Sequence, residues 1–156
     1  MARNGKVDFS DLEKFRQKLE GNFSDSQIDL FIESCAKELA ARLLAKVIKR
    51  TPVGQYSKSS GKKGGTLRRG WTNGKNQDAT AYANSLNVNH YGGAYVIEII
   101  NPVEYASYVE FGHRTRDHEG WVEGKFMLTI SEQEIERDAP RVLENKLKKK
   151  LGEVFK

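Results

Sequence analysis

The stretch NVNHYGGAYVIEIINPVEYASYVEFG, residues 87–112, runs from a strand pattern through a glycine turn into a second strand and then into a short helix. Ala94 to Ile100, AYVIEII, is built of β-branched and aromatic residues, which suit a pleated, half-buried surface. Tyr91-Gly92-Gly93 supplies the turn before it. Leu86, Val88 and His90 alternate with polar residues within 80–90, so residues 84–90 are expected to pair with 94–100 as an antiparallel hairpin. Asn101-Pro102 then offers a capping side chain and a first-turn proline, Glu104 stands at the reciprocal capping position, and Gly112 is placed to end the helix in the left-handed conformation. Strands followed by a helix, with no βαβ alternation around them, define an α+β chain.

Toward the N-terminus, residues 9–20 place Phe9, Leu12, Phe15 and Leu19 at helical spacing, with Ser10 and Glu13 as a capping box and Gly21 near the end. A second helix opens at Ser24, Asp25 or Ser26. It carries Ile28, Ile32, Cys35, Leu39, Leu43 and Val47 every three or four residues until Thr51-Pro52, where proline lacks the amide a helix needs. About 24 residues at 1.5 Å each give a helix roughly 36 Å long, enough to span the domain. Residues 54–65, GQYSKSSGKKGG, cannot bury enough apolar surface to offset the entropy of ordering and read as a flexible basic loop. TLRRGWT, residues 66–72, reads as a further strand.

Beyond Gly112, residues 113–124 are polar and read as a second exposed loop with Trp121 and Val122 as anchors. Phe126 to Ile130 fits a strand or a first helical turn. From Ser131, capped with Glu134, the stripe Ile135, Ala139, Val142, Leu143, Leu147, Leu151 and Val154 marks a long helix that Pro140 is expected to kink or divide. The expected architecture is one domain over residues 1–156. It has two N-terminal helices, a small mainly antiparallel sheet of three to four strands with a short helix after it, and a long C-terminal helix.

The 156 residues suffice for a core without staples, and a mean hydropathy of -0.66 with 30% charged residues implies a modest core or surfaces completed by neighbours. Twenty-six Lys and Arg against 21 Asp and Glu leave +5, a mild excess that favours polyanions without establishing nucleic-acid binding. The single cysteine, Cys35, excludes an intramolecular disulfide, and its place in a helical stripe predicts a small buried side chain. No leader pattern opens the sequence, and no stretch approaches the roughly 18 apolar residues of a membrane span, so a chain made and kept in the cytosol is expected.

The chemical motifs are weak. GKKGGT resembles a phosphate-binding loop only in part, because six residues separate Gly54 from Gly61 where four are required and Lys63 stands where Ser or Thr is needed. Lys58, Lys62, Lys63, Arg68, Arg69 and Lys75 form a basic patch, with Tyr56 and Trp71 available to stack on bases; a solvated loop is the plainer reading. Glu110, His113, Asp117, His118 and Glu119 gather ligand-type side chains, but a five-residue His spacing on a loop is not that of a zinc helix, and no metal is expected. There is no nucleophile elbow and no HExxH motif, so an enzyme is not expected. Tyr105 and Val109 suit the core, whereas Tyr108, Glu110 and Phe111 fit a core and a partner surface equally well.

Thr51-Pro52-Val53 with a run to Gly65–Arg68 comes first. Tyr105, Ala106, Tyr108, Val109, Glu110, Phe111 and Gly112 follow, and then Gly120, Trp121, Val122, Gly124, Met127 and Leu128 ahead of a closing helix. In this order, over about residues 26–155, the segments resemble the tail-completion and neck protein family of tailed bacteriophages. The resemblance implies a non-enzymatic virion protein without cofactors, assembled in the host cytoplasm. It implies a homo-oligomeric ring, commonly a hexamer, at the head-tail junction that joins head to tail and lets DNA pass. The implied partners are further copies of the chain, neighbouring connector or stopper proteins and tail-terminator or tail-tube proteins, with non-specific contact to DNA in the channel and no membrane. Tyr105, Tyr108, Glu110, Phe111 and Trp121 are then the expected subunit or partner contacts, and Lys58, Lys62, Lys63, Arg68 and Arg69 face DNA or a neighbouring subunit. The alternative is a small basic nucleic-acid-binding protein that uses residues 56–75.

Overall fold

A computed structural model of the chain describes residues 4–8, 21 and 23–154. The helix expected over 9–20, with Phe9, Leu12, Phe15 and Leu19, lies outside the described residues. The described elements are β1 (Asn4–Asp8), α1 (Asp25–Arg50), a 3-10 turn (Lys58–Ser60), α2 (Thr66–Gly70), α3 (Ala79–Ser85), β2 (Asn89–Tyr91), β3 (Ala94–Ile100), α4 (Ala106–Phe111), β4 (Gly112–Arg114), β5 (Trp121–Glu123) and α5 (Met127–Val154). The fold is α+β.

Helix α1 is the axis of the core. Ser24 and Gln27 close its N-terminus as a reciprocal capping box, so two otherwise orphaned amides are satisfied. Ile28, Ile32, Cys35, Leu39, Leu43 and Val47 are all buried, as their spacing requires, and Phe31, Ala36, Ala40 and Leu44 widen the stripe. Each Leu or Ile so buried contributes roughly 1.5–3 kcal/mol of transfer free energy. The helix ends at Thr51, ahead of Pro52, and packs against α2, α3, α5 and β3.

The sheet has the order β1-β3-β2, antiparallel throughout. Asn4 pairs with Ile100 and Asp8 with Val96 on one side of β3. On the other side Tyr91 pairs with Ala94 across the two-residue turn Gly92-Gly93. Along β3, Tyr95, Ile97 and Ile99 are buried while Glu98 and Ile100 are exposed, the period-two alternation of a sheet with one wet face.

Several expectations change. TLRRGWT is helical at Thr66–Gly70, because Leu67 and Trp71, four residues apart, both enter the core. Most of 80–90 is helical as well. Asp78 accepts from the Ala81 amide at 2.7 Å and caps α3, Tyr82 and Ala83 pack on the core, and the expected hairpin shortens to Asn89–Tyr91. Asn101 is not the cap of the short helix, which begins at Ala106. Fully buried, it donates to the Leu67 carbonyl at 2.8 Å and accepts from the Val103 amide at 3.1 Å, fastening β3 to α2. Residues 113–124 form a β-hairpin rather than a loop, although its strand side chains remain largely exposed. Pro140 does not divide α5, since its own side faces solvent while Ile135, Val142 and Leu143 on either side are buried.

Candidate interaction face

The segment Tyr105 to Gly112 is locked to the rest of the chain by its glutamate. Glu110 is 1% exposed, and its carboxylate accepts from the Leu128 amide at 2.9 Å, the Thr129 amide at 2.9 Å and the Thr129 hydroxyl at 2.7 Å. These amides belong to the first turn of α5, where a helix has no intrahelical acceptors for its N–H groups and a partial positive charge. A carboxylate placed there gains charge-assisted bonds that offset its desolvation. Glu110 is therefore a cap supplied from a distant helix and is withdrawn from the expected contact residues. It also explains why α5 starts at Met127. Ser131, expected as the cap, lies inside the helix, where its hydroxyl donates to the Met127 carbonyl at 2.6 Å.

Backbone bonds complete the clasp, with the Lys125 amide donating to the Val109 carbonyl at 2.7 Å and the Phe126 amide to the Glu110 carbonyl at 3.0 Å. Gly112 has φ 85° and ψ 173°, so it ends α4 with positive φ but outside the left-handed helical region, and it turns directly into β4. A side chain at Gly124 would overlap the backbone of Glu110, Phe111 and Gly112. The β4–β5 hairpin pairs Gly112 with Glu123 and Arg114 with Trp121. At its tip the Thr115 hydroxyl and the Glu119 amide donate to Asp117, holding its carboxyl below the usual range, and the Gly120 amide donates to the Thr115 hydroxyl.

On this rigid base stands a group of exposed apolar side chains. Tyr108 is 59% exposed, Phe111 49% and Trp121 55%, with Val122, Phe126 and Ile130 beside them in sequence and also exposed. The Phe111 and Phe126 rings meet edge to face at 6.4 Å, and Tyr108 lies 5.6 Å from His113. His113 Nδ1 is buried and has no hydrogen-bond partner among the described residues. Such a concentration of aromatic surface is ordinarily a contact site. Tyr105 is also exposed, contrary to the core reading, and lines a different hollow of about 260 Å³ with Val53, Tyr56, Leu67 and Val109.

The basic segment is divided by the fold. Lys58, Lys62, Lys63, Arg69 and Lys75 are exposed, with the Lys62 ammonium 5.9 Å from the Tyr56 ring centroid and Arg69 donating to the Gly64 carbonyl at 3.2 Å. Arg68 is turned inward, its Nε and Nη2 donating to the Thr51 carbonyl at 3.2 and 2.7 Å. Trp71 is buried, its Nε1 donating to the Thr51 hydroxyl at 2.8 Å, and is unavailable to stack on bases. Arg68 and Trp71 thus brace the end of α1 rather than a nucleic-acid surface. Nothing in the local sequence marks this, because the partner, Thr51, is about 20 residues away.

The ligand-type cluster disperses in the same way, since Glu110 faces α5 and Asp117 is held within its own turn. Among the described residues no group of three or more His, Cys, Asp and Glu is arranged to hold a metal ion. Cys35 is 2% exposed, and burial pushes its thiol up to about 12, which leaves it inert at neutral pH.

Residues 13–112 match the family described as "Bacteriophage HK97-gp10, putative tail-component". The match includes α1, the basic loop and α4 and stops at Gly112, so the hairpin and α5 lie beyond it. No match is found among curated proteins or among solved structures.

Proposed function

The chain belongs to the bacteriophage HK97-gp10-like family of phage tail components, and from that premise we propose that it forms a homo-oligomeric ring at the head-tail junction, completing the tail, joining it to the head and leaving a passage for DNA. As a tail component it resides in the virion. No helix among the described residues is long and apolar enough to cross a membrane. The observation that carries the proposal is the aromatic group on α4, the β4–β5 hairpin and the start of α5. Tyr108, Phe111 and Trp121 are each about half exposed, on backbone that Glu110 holds in place. Side chains presented in this way lose little conformational entropy on association. A ring needs a heterologous contact, one face of each copy against a different face of the next, and this face supplies one half. Tyr105 and its hollow beside the basic loop provide a separate surface for a connector, stopper, terminator or tube protein. Lys58, Lys62, Lys63 and Arg69 are the residues left to meet DNA in the channel, without sequence readout.

Sedimentation of the purified protein tests the ring. Wild type is expected as a closed oligomer, commonly a hexamer. The double substitution Tyr108→Asp with Trp121→Asp is expected to leave a folded monomer, since both side chains are exposed. A wild-type monomer at every concentration, in a protein that electron microscopy also fails to locate at the virion neck, would reject the proposal. Salt-dependent duplex binding by the isolated chain, lost on reversing Lys58 and Lys62, would instead favour the nucleic-acid reading.

A further inference from the structure

A hollow of about 810 Å³ lies between α1 and α5, lined by none of the aromatic-face residues. Gln27, Phe31, Ser34, Glu38 and Arg42 recur along one side of α1, and Arg141, Asn145, Lys149 and Glu153 along one side of α5. At 1.5 Å per residue the walls run roughly 18–22 Å, three to four helical turns. Phe31 and Val142, nearly buried, provide apolar ground, and Leu30 stands beside them 67% exposed, the most exposed of the large hydrophobic side chains among the described residues.

The walls are basic. Among the described residues that line the groove, Arg42, Arg141, Lys146, Lys149 and Lys150 stand against two carboxylates, Glu38 and Glu153. Glu38 is already engaged, 2.8 Å from Lys146 and 3.1 Å from Arg42, and Lys150 is 3.8 Å from Glu153. Arg141 and Lys149 make no ion pair among the described residues. A trough with an apolar side, a cationic surround and the length of a short helix is complementary to an amphipathic acidic helix.

We propose that this groove receives an acidic amphipathic helix of a second protein, laid between α1 and α5 with its apolar side on Leu30, Phe31 and Val142 and its carboxylates on Arg141 and Lys149. A DNA duplex fits less well. Rigid and roughly 20 Å across, it would meet the cations on the rims without reaching ground between helices whose axes pack about 8–10 Å apart. The inference is independent of the aromatic face.

The test uses the intact protein and a fluorescent peptide of about 15 residues, with leucines at helical i, i+3, i+4 and i+7 spacing and glutamates elsewhere. Anisotropy should show binding that weakens about tenfold in each of three cases: L30D, the double charge reversal R141E with K149E, and a peptide of equal charge with serine for leucine. Reversing Lys58 and Lys62 in the basic loop should change nothing. Circular dichroism and unchanged melting certify that the exposed-residue variants are folded. The proposal is overturned by absence of binding at about 1 mM peptide, by equal affinity for the serine peptide or for a DNA duplex, or by unchanged affinity in the groove variants. It is equally overturned if R141E with K149E dissolves the homo-oligomer, which would assign the groove to a second copy of the chain.

Discussion

Glu110 shows how one side chain can decide where an element begins. Its three bonds to Leu128 and Thr129 satisfy two of the amides that open α5. Replacing it with alanine leaves those donors in a buried place without an acceptor, and Glu110→Ala is expected to cost about 2–3 kcal/mol in urea unfolding, with Glu110→Gln intermediate. A midpoint shifted no further than that of an exposed-site control such as Glu119→Ala would show that water replaces the carboxylate at no cost. Cys35 makes the complementary case of a residue removed from chemistry by burial. Its thiol, pushed up to about 12, should resist iodoacetamide at neutral pH in the native state and react once denaturant exposes it. Labelling of the native protein at the rate of the unfolded chain would contradict the placement of α1.

At the scale of elements, the α4–hairpin–α5 junction depends on close backbone approach. Gly124→Ala would drive a Cβ into the Glu110 and Phe111 backbone and is expected to destabilise by about 1–3 kcal/mol, whereas Gly152→Ala, in open space on α5, should stabilise by about 0.5–1 kcal/mol. Thermal melts of the two variants moving in the same direction would refute the assignment. The same junction shows what the sequence revealed and what it hid. Helix α1 was legible because its cap, stripe and stop all lie within its own residues, and β3 because alternation and branching are local. For the N-terminus of α5 the sequence leaves residues 126–130 open between a strand and a first helical turn and offers Ser131 as the cap; the helix begins at Met127, because its acceptor comes from Glu110 across the hairpin. The segments of α2 and α3 also fit a strand pattern, since short segments satisfy two periods at once and tertiary burial of Leu67, Trp71 and Ala83 decides between them. Of the expected contact residues, Tyr108, Phe111 and Trp121 are exposed, Tyr105 opens on a separate hollow, and Glu110 is interior. Helical spacing alone does not distinguish an aromatic side chain that is buried from one that is presented.

At the scale of the whole molecule, α1 and α5 form a pair tied at two levels by charge. Lys146 and Arg42 hold Glu38 toward one end. Toward the other, Lys46 and Arg50 hold Glu134 at 2.9 and 2.6 Å, with Arg50 also donating to Ser131. Apart from the Arg42–Glu38 pair within α1, the partners are 81–108 residues apart in sequence, so these bonds exist only when the domain is closed. Hydrogen bonds from Arg50 and then Lys46 lower the Glu134 carboxyl from 4.5 to about 2. Burial opposes the same shift at Glu38, but the bonds from Lys146 and Arg42 outweigh it. A folded-state value below the unfolded one means that the contribution is fully present above the unfolded value and is lost as pH falls through the folded value. The Glu134 contribution should therefore be intact at neutral pH, decline from about pH 4.5 and be gone below about pH 2. Glu134→Gln removes this titration, so the gap in urea midpoint between wild type and E134Q should be widest near neutrality and close progressively toward about pH 2. It should also narrow at high salt, because the cluster is only partly shielded from solvent. A gap that stays constant from neutral to acid pH would mean that the glutamate acts through packing, and that the two long helices are held by their apolar stripe alone.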